Sequence, residues 1–297
     1  LSRRQRQMCI RDSRNFYSAG IHTNHGLYAT LYSFPAMMKR NLMKGSVIPR
    51  YSGLPTVLKE NGYYNLFFMT HEGQYDNMNA FFRTNGYDEV FSQENYPADK
   101  VVNSFGVQDD FLYDYAIPVL NQRAATGQPF FATLLSISNH PPYVIPPFFH
   151  PKTSEPETQI VEYADWALRQ FFEEARKQPW FDNTIFVLEG DHGKLVGDAE
   201  CELPESYNHI PLMIYSSRIQ PEEKTTFGGQ VDIQPTILGL LNIDYLQNNF
   251  GVDLLKEERP CMFYTADNMV VGRNDTLLYL YTVSYTHLRA HETSQDL

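Results

Sequence analysis

Four apolar runs of strand length punctuate the chain: residues 65–70 (Asn-Leu-Phe-Phe-Met-Thr), 130–137, 184–188 (Thr-Ile-Phe-Val-Leu) and 210–215. Runs that are apolar at nearly every position, rather than at alternate ones, suit strands covered on both faces. Between them lie helical patterns. The clearest covers 160–177, with apolar residues at 160, 161, 164, 167, 168, 171, 172 and 175, the 3.6-residue period of an amphipathic helix. Shorter helices are predicted over 24–33, opening at Thr23 and stopped by Pro35, over 54–61 with Pro55 in the first turn, over 78–84, over 109–122 with a kink at Pro118, and over 233–241. Residues 261–283 alternate like a β-hairpin around Gly272-Arg273-Asn274-Asp275. Strands alternating with helices predict an α/β domain whose central sheet is largely parallel and flanked by helices.

The 297 residues, 42% of them hydrophobic, suffice for one large core. The charge balance, 24 basic against 35 acidic residues, is the reverse of a nucleic-acid binder's and sets that class aside. Cys9, Cys201 and Cys261 show no ligand spacing and no disulfide framework. No apolar run reaches the roughly 18 residues of a membrane span, and no signal peptide is visible.

Both ends depart from the rest. Residues 1–13 have no hydrophobic period and no initiator methionine, and residues 283–297 are similarly patternless. Both resemble translated sequencing-adapter tails, so residues 14–282 are read as the domain and the two ends as non-native. The first stretch carries four Arg against one Asp and the second one Arg against one Glu and one Asp. Without them the formal charge moves from −11 to −13. A gene cut at both ends is expected, in which a missing membrane anchor carries no information.

In open α/β sheets ligands collect beyond the carboxyl ends of the strands. Thr70-His71, Ser138 to His140, and Asp191-His192 each follow directly on a predicted strand. Asp191 offers a hard oxygen and His192 a nitrogen, a pair suited to Mn²⁺ or Zn²⁺, and the flanking Gly190 and Gly193 allow a sharp turn. Thr23 offers a hydroxyl at a helix start, where free N–H groups and the dipole favour phosphate. A metal on Asp191 and His192 would lower the pKa of that hydroxyl and make it a nucleophile. Taken singly, each has a plain alternative: Thr23 as an N-cap, Asp191 as a strand-end cap, His140 and His209 as solvent histidines. Together they suit phosphate binding and proton transfer to a leaving alkoxide. Residues 141–156 form a proline-rich loop long enough to be a lid.

The ordered set Thr23, Ser-Asn-His140-Pro, Asp191-His192-Gly and His209-Ile-Pro-Leu resembles the lipoteichoic acid synthase branch of the sulfatase-like, alkaline phosphatase superfamily. Asp76-Asn77-Met78 before Asn85-Gly86-Tyr87, Gly106-Val-Gln-Asp109, Val231-Asp-Ile-Gln-Pro-Thr-Ile-Leu238 and Gly251-Val-Asp-Leu-Leu255 add to the likeness, which covers residues 14–282. It implies an alkaline phosphatase-like sandwich around the mostly parallel sheet. It also implies a threonine nucleophile matched by Thr23, and one divalent metal ion, Mn²⁺ before Mg²⁺ or Zn²⁺, held by Thr23, Asp191, His192 and a glutamate ending the first strand. Residues 1–22 contain no glutamate, so the chain is expected to lack that ligand and that strand, to bind metal weakly and to be inactive. Glu189 is set aside as a substitute because strand neighbours alternate faces.

By the same resemblance His140 and His209 serve the substrate phosphate. Tyr75, Asp76 and Asn77 stand in the head-group region, where the Trp and Arg of glycerol-phosphate transfer are not evident. The implied reaction moves a phosphoglycerol-type head group from a membrane phospholipid, through a phospho-threonine, to a glycan or glycerol acceptor. The same site could serve a phosphodiesterase or a phosphoethanolamine transferase; a binding-only sulfatase-like domain is the reading from another class. The intact protein is expected on the outer side of a bacterial cytoplasmic membrane, behind transmembrane helices. True sulfate-ester hydrolysis is disfavoured, since no C/S-x-P-x-R motif is present and threonine carries a methyl where formylglycine would form.

Overall fold

The structure, a computed structural model, describes residues 10–38, 40–195, 198–199, 202–282 and 286–290. Along the chain run β1 (Ile10–Ser13), β2 (Phe16–Tyr17), α1 (Thr23–Tyr32), α2 (Leu54–Glu60), β3 (Tyr64–Met69), α3 (Met78–Thr84), β4 (Glu89–Phe91), β5 (Val101–Asn103) and β6 (Gly106–Val107). There follow α4 (Asp109–Ala124), β7 (Phe130–Leu135), α5 (Pro156–Ala175), β8 (Phe186–Glu189), β9 (Leu212–Tyr215), β10 (Glu222–Lys224) and β11 (Gly228–Gly229). The last elements are α6 (Ile233–Leu240), β12 (Met262–Ala266), β13 (Met269–Arg273), β14 (Leu277–Thr282) and β15 (Thr286–Ala290). No helix among the described residues is long and apolar enough to cross a membrane. The chain divides into two compact units.

The first unit contains Gly45–Arg50 and Pro55–Thr184. Its sheet, in the order β4-β3-β7, is wholly parallel, with Met69 opposite Leu135 at the ends of β3 and β7. Both strands therefore stop at one edge and deliver Thr70-His71 and Ser138–His140 there. Leu66, Phe67, Phe68 and Met69 are fully buried, as an unbroken apolar run requires. Phe67 stacks on Phe82 of α3 at 4.1 Å between ring centroids. Of the predicted stripe in α5, Ile160, Ala167, Phe171, Phe172 and Ala175 are buried, joined by Tyr163, while Val161 is exposed and Ala164 and Leu168 are partly buried. This helix opens at Pro156, four residues before the predicted start, because proline is favoured in a first turn whose N–H groups are unpaired anyway. Pro118 lies inside α4, which runs on to Ala124.

Of the described residues, the second unit contains those from Ile10 to Lys44, Tyr51–Leu54, and those from Ile185 onward. Its main sheet has the order β10-β1-β9-β8. There β1 is parallel to β10, while β9 is antiparallel to both β1 and β8, so the parallel pairing expected of most of the sheet is complete in β4-β3-β7 and mixed here; β5 and β6 of the first unit form a separate antiparallel pair. The stretch expected to be one hairpin is part of a four-stranded antiparallel meander, β12-β13-β14-β15, because Asp267-Asn268 supplies a tight turn in addition to the predicted one. Tyr17, Phe227, Met262, Tyr264, Val271 and Leu280 form a core cluster against it. Strands β1 and β15 fall within the two terminal stretches set apart by sequence; the rest of both stretches lies outside the described residues, as do Cys9 and Cys201. A strand thus precedes Thr23, but its Ile-Arg-Asp-Ser carries no glutamate.

Candidate active site

In the second unit β8 ends at Glu189, and Gly190 leads into Asp191 and His192. The backbone N–H of His192 donates to Asp191 Oδ1 at 2.9 Å, which leaves Oδ2 as the free oxygen. The ring nitrogen Nδ1 of His192 lies 2.7 Å from the Gly193 carbonyl. A carbonyl only accepts, so Nδ1 carries the proton and Nε2 keeps its lone pair. That Nε2 stands 3.6 Å from Asp191 Oδ2. Two donors each about 2.1 Å from one ion at a tetrahedral angle lie about 3.4 Å apart, so the pair fits a single divalent cation. Among the described residues no group of three His, Cys, Asp or Glu side chains is gathered closely enough to hold a metal.

Thr23 is the first residue of α1, and the N-cap is His22, extended at φ −130° and ψ 147° and making no side-chain cap bond. The ordinary N-cap role weighed for Thr23 therefore does not apply, and its hydroxyl stands at the start of a ten-residue helix. The helix is pressed against the metal-type ligands: a Cβ on Gly26 would lie 2.4 Å from the Asp191 carbonyl oxygen. Only glycine permits that approach.

Two residues that sequence reasoning missed, His22 and His25, join this site, as does Glu189, which was weighed only as a metal ligand. His22 turns its Nε2 to Asp267 Oδ1 at 2.7 Å, at the β12–β13 turn. Two buried ring nitrogens of His25 have no hydrogen-bond partner, and burial pushes that imidazole down to about 4. Glu189 accepts from the Thr30 hydroxyl, and its Oε2 is buried without a partner. Burial pushes the Glu189 carboxyl up to about 8, with the Asp191 charge acting in the same direction. β8 ends at Glu189, so strand alternation does not extend to Asp191, and among the described residues Glu189 completes no three-ligand group with Asp191 and His192.

His209 is engaged elsewhere in the unit. Its Nε2 lies 2.5 Å from the Arg14 carbonyl, and its ring stacks on Tyr17 at 5.2 Å. Glu205 holds this corner together, accepting from Tyr17 at 3.1 Å and pairing with Arg273 at 2.7 Å. Asn208, the neighbour of His209, is the residue turned inward, donating to the Ser18 carbonyl and hydroxyl.

In the first unit the other predicted residues meet at the sheet edge. Asp109, fully enclosed at the start of α4, accepts the N–H groups of Ile137 and Ser138 at 2.9 and 3.0 Å and so fixes the loop after β7. Burial raises its carboxyl pKa. His140 follows on that loop, exposed, with Nδ1 2.7 Å from the Pro141 carbonyl and its ring 4.1 Å from Phe105. Val102, Asn103, Phe105, Gln108 and Ser138 line a pocket with it. Tyr75–Asn77 form a single 3₁₀ turn in which Asp76 and Asn77 take left-handed φ of 51° and 61°, a region these two residue types tolerate. Tyr75 leans on the buried His71 at 4.5 Å. The backbone of Gly106 closes the gap, since a Cβ there would sit 1.8 Å from the Thr70 carbonyl oxygen.

The sulfatase family matches residues 13–243. Lipoteichoic acid synthase 1 of Bacillus subtilis is 26% identical, over 83% of this chain and 42% of its own length. Phosphoglycerol transferase I of Xanthomonas campestris is 26% identical, over 77% of this chain and 34% of its own length. The chain thus spans about two fifths or less of these relatives. The crystal structure of an alkaline phosphatase superfamily protein from Vibrio parahaemolyticus superposes with a TM-score of 0.87 at 28% identity, covering 98% of this chain and 75% of that one. That of the lipoteichoic acid synthase LtaP of Listeria monocytogenes gives 0.82 at 22%, covering 99% and 80%, and shares the fold.

Proposed function

The chain belongs to the sulfatase family, and on that footing we propose that it is the catalytic domain of a metal-dependent phosphotransferase acting through a phospho-threonine at Thr23. The observation that carries the reading is the Asp191 Oδ2–His192 Nε2 pair, 3.6 Å apart and oriented by its own backbone, beside the helix that begins at Thr23. Thr23, Asp191 and His192 would hold one divalent ion, Mn²⁺ by preference. That ion would supply Lewis-acid stabilisation of charge and lower the pKa of the Thr23 hydroxyl.

In the first half-reaction Thr23 Oγ gives up its proton and bonds to the phosphorus of a phosphodiester, and the bond to the leaving alkoxide breaks as that oxygen takes up a proton. In the second, an acceptor hydroxyl gives up its proton and bonds to phosphorus, and the bond to Thr23 Oγ breaks as that oxygen regains a proton. The free N–H groups at the start of α1 stabilise phosphate charge in both. On the family resemblance His140 takes phosphate oxygens, and Tyr75, Asp76 and Asn77 take the head group. His209 is bound into the Tyr17–Glu205 corner, so its part is to hold that corner.

The named activities of the two curated relatives suggest a phosphoglycerol group taken from a membrane phospholipid such as phosphatidylglycerol and passed to a glycan or glycerol-phosphate acceptor. Such chemistry belongs at the outer face of a bacterial cytoplasmic membrane. Incubation of the intact protein, upstream glutamate included, with Mn²⁺ and phosphatidylglycerol labelled with ³²P in its head group tests the reading. Acid-stable label on wild type, absent from Thr23→Ala, is expected; wild type without label at any Mn²⁺ concentration would sink it.

A further inference from the structure

Gln230 is fully buried, and every hydrogen-bonding group of its amide is used. Its Oε1 accepts from the backbone N–H of Ala19 at 2.8 Å. Its Nε2 donates to the carbonyls of Gly190 at 3.1 Å and Asp191 at 2.8 Å. Backbone N–H groups only donate and carbonyls only accept, so the amide can face only one way. One side chain thereby ties the loop four residues before Thr23 to the backbone of the carboxylate it must meet.

The base of this clamp is itself fixed. Strands β2 and β11 pair in parallel, setting Phe16–Tyr17 beside Gly228–Gly229 directly upstream of Ala19 and Gln230. Asp232, two residues on, accepts from Gly229 N–H and Val252 N–H at 2.9 Å each and is gripped by Arg259 through both carboxylate oxygens. Gly26 of α1 approaches the same point, a Cβ there standing 3.0 Å from Gln230 Nε2.

We propose that Gln230 is a positioning residue that locks the nucleophile loop and the metal-binding strand end into one geometry. The inference rests on the reading of Thr23, Asp191 and His192 given above. It makes Gln230 neither ligand nor proton carrier: the residue touches no substrate and acts through the backbone of Ala19 and Asp191. Gln230→Glu is the discriminating change, since it keeps size and the Ala19 acceptor but sets an oxygen against two carbonyl oxygens. Gln230→Leu removes all three bonds.

Mn²⁺ titration by calorimetry and the rate of ³²P labelling, each normalised to folded protein, test the proposal on wild type, both variants and Leu238→Ala. The last is a buried change in α6 of the same unit, eight residues along the chain from Gln230. Both Gln230 variants should lose about 10- to 100-fold in Mn²⁺ affinity, the range for groups that orient metal ligands, and about 100-fold in labelling rate at saturating lipid. Half-saturating lipid should change less than twofold, and Leu238→Ala should keep wild-type values. Mn²⁺ affinity within twofold of wild type in both Gln230 variants, or an equal loss in Leu238→Ala, would overturn the clamp. Unlabelled wild type whose Mn²⁺ affinity still falls with Gln230 would retain the clamp and discard the covalent mechanism.

Discussion

Replacing Gly26 by alanine should separate stability from function. Gly26 is the fourth residue of α1, and a glycine inside a helix is worth about 1 kcal/mol less than alanine, so an unobstructed helix would gain from the change. Here the new Cβ would fall 2.4 Å from the Asp191 carbonyl oxygen and 3.0 Å from its carbon. Carbon–oxygen contacts settle near 3.3 Å or beyond, so the first turn of α1 must retreat by about 1 Å. Overpacking of this size costs about 1–3 kcal/mol. The helix gain offsets about 1 kcal/mol of that, leaving a net loss of about 0–2 kcal/mol. The same 1 Å between nucleophile and ligand is worth on the order of 100-fold in rate. Urea unfolding read by circular dichroism gives the first quantity, and single-turnover labelling of Thr23 gives the second. If Gly26→Ala gains the full helix increment and labels at the wild-type rate, α1 does not rest on Asp191 and the packing argument fails.

Two further predictions concern buried charge. The Glu189 carboxyl, raised to about 8, stays protonated in the folded protein over a range where the unfolded chain ionises near 4.5. Metal-free stability should therefore be highest below about pH 4.5 as far as this group is concerned, and fall as pH rises from there to about 8, by at most about 5 kcal/mol. Glu189→Gln should flatten that slope in urea titrations with chelator present; an unchanged slope would show that another group sets it. Arg259→Leu strands the buried Asp232 carboxylate without its partner, whose Nη2 lies 2.5 Å from Oδ1. A loss of about 3–5 kcal/mol in unfolding free energy is expected, partly recovered by adding Asp232→Asn, and a loss under about 1 kcal/mol would contradict a dry ion pair.

Where an element is decided by its own pattern, the sequence was enough. The helix predicted over 78–84 is Met78–Thr84, and five of the eight stripe residues of the long amphipathic helix lie on the face that α5 buries. The β3 run is fully buried because nothing polar interrupts it. Short-range chemistry at the site was equally legible: adjacency alone brought Asp191 to His192. What escaped were the features made by distant partners. The meander has an extra turn because Asp267-Asn268 was not taken as one, and that turn is what brings Asp267 to His22. Glu189 was set aside as a ligand, and no pattern in the sequence shows that its carboxyl is buried against Thr30. Gln230 stands directly before the Val231–Leu238 motif, yet no local pattern could tell that its amide spans to residues 19, 190 and 191. The N-cap of α1 fell on His22 rather than Thr23, a shift of one residue that a spacing argument cannot fix but that frees the hydroxyl.

The ties around Thr23 also set a clock. Ala19 is bonded through its N–H to Gln230 and through its carbonyl to Thr265, and His22 to Asp267, partners 211, 246 and 245 residues later in the chain. Thr23 leaves the ribosome well before the partners that fix the segment ahead of it. At about 5–20 residues per second, that interval is roughly 10–50 s. Through it the segment ahead of α1 lacks the partners that fix its geometry. A chain stopped short of the β12–β13 turn would carry Thr23 behind a loop without those ties, so that segment takes its native form only after the turn is made.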